Sequence, residues 1–141
     1  MPQNETPSEE RVRELTADPN LTPEDANRYA DLFLAAGRYP IALMFLERSK
    51  DPGRLDRVKT KAVELGDAFL LHRVNTILPE HVKADEWRSA GERARAAGKL
   101  LFAKECYRQI ADEEKLKAVE EEFLRILQPP PPPVTRSSSS G

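Results

Sequence analysis

Residues 84–110 read ADEWRSAGERARAAGKLLFAKECYRQI. Trp87, Gly91 and Ala94 stand at i, i+4 and i+7, one face of a helix, and Gly98 interrupts the pattern. Ala103, Tyr107 and Ile110 repeat the same spacing beyond it. Small residues (Gly91, Ala103) beside large ones (Trp87, Tyr107) predict two helices packed closely and antiparallel.

Two weaker copies precede this unit. The three units align on Gly37, Gly66 and Gly98, separated by 29 and 32 residues, within the range of helical repeat proteins. Eleven positions before each glycine stand Ala26, Leu55 and Trp87. Eight before stand Tyr29, Val58 and Ala90, and four before stand Phe33, Ala62 and Ala94. Five after stand Ala42, Leu71 and Ala103, and nine after stand Leu46, Asn75 and Tyr107. Only Asn75 is neither apolar nor small.

Helix boundaries follow from local chemistry. Thr6-Pro7-Ser8-Glu9 reads as a helix start with Thr6 as N-cap, opening a short charged leader in which only Val12 and Leu15 can be buried together. Thr22-Pro23 and Asp51-Pro52 start longer helices in the same way, and Asp67 and Asp112 offer further caps. Ile41 to Leu46 is apolar nearly all round and predicts a deeply buried helix. Leu116, Val119, Phe123 and Ile126 give the last helix one apolar stripe opposite an acidic face, as a terminal capping helix requires. Met1 to Glu5 is expected to be disordered. Pro129 to Pro133 ends the last helix and favours a stiff spacer, with docking on another protein as the alternative, before the Ser-rich end.

Composition narrows the function. A net charge of −2 exerts no global pull towards nucleic acid or acidic membranes. The sole cysteine, Cys106, precludes an intrachain disulfide and is expected to be a buried thiol. The polar N-terminus carries no signal-peptide core and no apolar run is long enough to span a bilayer, so a cytoplasmic protein without membrane partners is expected. Of the two histidines, His72 and His81, neither has a His or Cys three or four positions away, so no metal set is expected, and His81 beside Pro79-Glu80 reads as an exposed turn residue. No phosphate loop, metal motif or nucleophile pair is found, so no catalytic residue, cofactor or small-molecule substrate is assigned.

The repeat resembles the tetratricopeptide repeat (TPR) family. Trp87, Gly91, Gly98, Ala103 and Tyr107 stand where that family has its large residue, small residue, turn glycine, alanine and aromatic. Ala30, Gly37, Ala42 and Leu46 match in the first unit, whereas Lys59 and Leu71 depart from the pattern in the second. The resemblance spans Pro23 to Gln128, with a HEAT-like or other hairpin array as the structural alternative. It implies an all-α, right-handed α-solenoid of about three helix-turn-helix repeats. A leader region occupies 1–21, the repeat domain 22–128 and a Pro/Ser-rich tail 129–141.

It also implies that the first helices of each pair line a concave face. That face would carry Asn27, Asp31, Leu34 and Ala35, then Asp56, Thr60, Val63 and Glu64, then Arg88, Glu92, Arg95 and Ala96. Arg88 and Arg95 could grip a carboxylate or the acidic side chains of an extended peptide. The expected function is therefore a non-catalytic adaptor or scaffold that binds another protein or peptide. The alternative is nucleic-acid association through the basic stretch Arg48 to Lys61, which lacks the interleaved aromatics such binding favours. Acidic Asp112 to Glu122 at the other end gives a charge gradient that would permit head-to-tail self-association.

Overall fold

The computed structural model describes residues 5–128. The expectations for Met1 to Asn4 and for the segment from Pro129 onward lie outside them. The described residues form eight helices and no strand. These are α1 (Glu9–Ala17), α2 (Pro23–Ala35), α3 (Tyr39–Ser49), α4 (Pro52–Leu65), α5 (Ala68–Ile77), α6 (Ala84–Ala96), α7 (Leu100–Gln109) and α8 (Glu113–Leu127).

Most of the boundaries follow the local code. Thr22 accepts a hydrogen bond from Asp25 N at 3.1 Å, Asp51 from Arg54 N at 2.9 Å, Asp67 from Leu70 N at 3.1 Å and Asp112 from Lys115 N at 3.1 Å. The first helix is a correction. Its N-cap is Ser8, not Thr6, and the Ser8 hydroxyl accepts from Arg11 N at 3.2 Å. Ser8 takes this position because its own side chain reaches the third amide onward, which leaves Thr6 and Pro7 outside the helix.

Short connections fold α2 onto α3, α4 onto α5 and α6 onto α7. Gly37, Gly66 and Gly98 stand in these connections with φ of +73°, +64° and +78°. At Gly66 a side chain is excluded twice over, because a Cβ there would also lie 2.6 Å from Ala94 N on α6. Between pairs, α4 packs on α6, α3 on α5, and α5 on α7, while α8 closes against α7.

The aligned positions form the core. All are buried except Tyr29, which is partly exposed, and Asn75. Asn75 has its own use: its Oδ1 accepts from Val82 N at 3.2 Å and holds the connection into α6. Ala42, Leu43, Phe45 and Leu46 of α3 are fully buried. Tyr29, Phe33 and Phe45 stack with ring centroids 5.3 and 5.8 Å apart. Val12 and Leu15 seat α1 against this core. Arg48 then pins the end of α1 by donating to the carbonyls of Thr16 and Asp18 at 3.0 and 2.8 Å.

A second apolar cluster joins Ala94, Leu100, Ala103, Tyr107 and Val119. Here α8 departs from its expected stripe. Only Val119 is buried, Leu116 and Phe123 pack partly, and Ile126 is 67% exposed. Ile126 instead borders an open cleft with Leu100, Leu101, Phe102 and Phe123, where no further element of the described residues covers it.

Candidate functional site

The face expected to receive a partner divides into two clefts. The first, about 350 Å³, lies between α2 and α4 and is lined by Leu34, Tyr39, Asp56, Arg57, Thr60 and Glu64, with Lys61 at its edge. Leu34, Asp56, Thr60 and Glu64 were expected on this face, whereas Tyr39 and Arg57 were not. Asn27 and Asp31 lie two turns and one turn before Leu34 on α2, respectively. The Asn27 Oδ1 is buried without a hydrogen-bond partner among the described residues. The second cleft, about 450 Å³, lies between α6 and α8 and is lined by Glu92, Arg95, Ala96, Tyr107, Lys115 and Glu122.

The charged members of the face are engaged with one another. Asp31 accepts two bonds from the Arg54 guanidinium, from Nε and Nη2, each at 2.8 Å, which ties α2 to α4. This hydrogen-bonded pairing holds the Asp31 carboxyl below the usual aspartate range. Lys59 Nζ lies 2.9 Å from Glu86 and 3.3 Å from Asp56, and donates to the His81 carbonyl at 3.2 Å, tying α4 to the start of α6. Burial works against the charge on Lys59, yet Glu86 and Asp56 outweigh it and hold its pKa above the ordinary value. Asp56 is likewise penalised by burial and still held low by Lys59 and His81.

On α6, Arg88 pairs with Asp85 at 2.9 Å within its own helix. Arg95 reaches Glu122 of α8 at 3.1 Å, and Glu92 meets Lys115 at 3.3 Å. Arg88 and Arg95 therefore point to different acceptors and form no joint grip. His81 is a correction to the expected exposed turn residue. Its side chain is 17% exposed, and Nε2 approaches Asp56 Oδ1 at 2.6 Å without the alignment of a directed hydrogen bond. The chain between α5 and α6 folds back over α4, which covers the ring.

The basic stretch is also largely engaged. Arg48 clamps the end of α1, Arg54 holds Asp31 and Asp51, Lys59 holds Glu86, and Lys61 lies 3.5 Å from Glu64. A phosphate backbone would have to displace these carboxylates and carbonyls to reach the same cations.

Two further polar groups sit away from this face. His72 Nε2 lies 2.9 Å from Glu105 Oε1, linking α5 to α7, with its ring 5.0 Å from that of Trp87. Cys106 is fully buried and its thiol is pushed up to about 12, chiefly by burial. Among the described residues no three His, Cys, Asp or Glu side chains converge as a metal site, and no helix is long and apolar enough to cross a membrane.

Besides Tyr39 and Arg57, sequence reasoning did not place Arg54, Lys59, His81, Lys115 and Glu122 on or beside this face. The charged ones among them meet their partners across 22 to 27 residues, a separation no local pattern encodes. Comparison of the chain with known protein families, curated proteins and solved structures gives no match.

Proposed function

We propose that the chain is a non-catalytic, cytoplasmic protein-interaction module. In this reading it is a right-handed, tetratricopeptide-like array of three hairpins, with α1 as leader and α8 as cap. It takes a peptide or helical segment of another protein along α2, α4 and α6. Support for the array comes from the recurrent left-handed glycines and from the shared buried positions of the three hairpins.

One observation carries the binding assignment: the cleft between α2 and α4. It offers an apolar floor at Leu34 and Tyr39 with Thr60, Arg57 and Glu64 along its rim, the mixture that peptide grooves use. Asn27 and Asp31 continue this face along α2, two turns and one turn before Leu34. The ion pairs from Asp31 to Arg54, Lys59 to Glu86 and Arg95 to Glu122 keep neighbouring first helices in register, which pre-organises the face. Asp56, Arg88 and Glu92 supply its remaining polar contacts.

The test is affinity capture from cell extract with the full chain and with a Thr60→Arg variant. Thr60 is exposed, so the substitution fills the cleft without touching the core. The expected outcome is loss of the captured proteins with unchanged helical circular dichroism. Identical partner lists for both proteins would remove the α2–α4 cleft as the binding site.

A further inference from the structure

Between α7 and α8 the described residues leave an apolar groove open. Two clefts of about 400 and 290 Å³ share Leu100, Leu101 and Phe123, so they form one continuous surface. Leu101 is 64% exposed and Ile126 67%. The larger cleft takes in Phe102 and Ile126 and reaches Gly98 and Lys99 at the start of α7, whereas the smaller reaches Lys104 and Val119. The two helices therefore run antiparallel, and the larger cleft lies at the end where α8 stops. Contiguous apolar surface of this kind marks a contact site.

What covers it follows from where the chain goes. Ile126 borders the larger cleft, α8 ends at Leu127, and Gln128 leads into Pro129 to Pro133. The proline run thus starts at the mouth of the cleft. Gln128 has φ −72° and ψ 136°, the polyproline II conformation, so the chain leaves α8 in the geometry that consecutive prolines continue. Such a run rises about 3.1 Å per residue, and five prolines reach about 15 Å. That is enough to cross between two helices packed about 8–10 Å apart.

The lining suits the same segment. Phe102 and Phe123 stand in the cleft, and polyproline II segments dock on aromatic-lined grooves because their backbone is ordered beforehand. Size argues against a separate chain. The two clefts involve far fewer residues than the about 20–30 a side of a stable contact between free proteins. A tethered segment needs much less, because its effective concentration is on the order of millimolar.

We propose that Pro129 to Pro133 cross the α7–α8 cleft of their own chain. Their rings lie on Leu101, Phe102 and Phe123, as a strap that ties the end of α8 to the start of α7. The contact does not involve the α2–α4 cleft and stands whether or not that cleft binds a peptide.

The experiment is disulfide formation with oxidised glutathione in the full 141-residue chain at dilute concentration. One variant carries Leu101→Cys and Pro131→Cys, the other Glu121→Cys and Pro131→Cys. Leu101 and Glu121 are both exposed, but Glu121 lies two positions from Val119 and from Phe123, on the side of α8 away from the cleft. Cys106 is fully buried and stays out of the reaction. The first pair is expected to close within one chain about tenfold faster than the second, because the strap raises its effective concentration. Equal rates, closure of neither pair or faster closure of the second would overturn the proposal. Disulfides formed only between chains would also overturn it, by making a second copy the occupant. A second measurement avoids the added thiols. Pro130→Gly, Pro131→Gly and Pro132→Gly together are expected to raise the fluorescence of added anilinonaphthalene sulfonate several-fold with unchanged helical circular dichroism, because the uncovered groove takes up the dye. Unchanged dye fluorescence would overturn the strap.

Discussion

The Tyr107 ring occupies the space that a side chain at Gly91 would need: a Cβ on Gly91 would lie 2.8 Å from Tyr107 Cε1 and 3.2 Å from Cys106 Cβ. The bare Cα of Gly91 lets α6 and α7 approach closely, and it explains a glycine inside a helix where alanine is intrinsically better.

Gly91→Ala is accordingly expected to destabilise the protein. Helix propensity alone would favour alanine by about 0.5–1 kcal/mol, but overpacking against Tyr107 costs about 1–3 kcal/mol. Urea unfolding measures the balance. In a Tyr107→Leu background the same substitution should become neutral or stabilising, a non-additivity that only contacting residues show.

Trp87 is 4% exposed and packs with its ring against His72. Trp87→Ala is expected to cost about 3–5 kcal/mol, the range for removing a large aromatic from a core. As the sole tryptophan it also reports on itself: native emission should be blue-shifted and poorly quenched by acrylamide. Emission like that of free tryptophan would place the side chain in water and contradict the packing.

The pairing of Asp31 with Arg54 makes stability depend on acid. The Asp31 carboxyl is lowered in the folded protein relative to its ordinary value near 3.8. Its contribution is therefore complete above that value and is lost as pH falls through the lower folded value. Asp31→Asn should flatten this part of the pH–stability curve and leave neutral-pH stability reduced. An unchanged acid limb would show that the α2–α4 pair contributes nothing measurable. Because Asp31 is 43% exposed, the effect is that of a partly screened pair.

Cys106 is expected to ignore thiol reagents in the native state. It is fully buried and its pKa is pushed up to about 12, so both access and thiolate are lacking. Reaction with a disulfide reagent should follow global unfolding, accelerating in urea in step with loss of helical signal. Rapid labelling of the native protein would show that the α6–α7 seam opens locally.

The helices and their pairing into hairpins were readable from sequence because their determinants are local. Thr22, Asp51, Asp67 and Asp112 each satisfy an amide three residues on, and Gly37, Gly66 and Gly98 take left-handed positions at the helix ends. The buried face followed from periodicity, since Trp87, Gly91 and Ala94 can share a side only on a helix. The sequence therefore determined which segments are helical and which stripe of each goes inward. Only the tertiary structure decided what the charges do. Arg54 finds Asp31, Lys59 finds Glu86, His81 comes beside Asp56, and Arg95 is turned to Glu122 because neighbouring helices happen to meet there. It also decided that Ile126 stays outside the helical core, since a periodic stripe states which side of α8 is apolar but not whether another element closes over each turn of it.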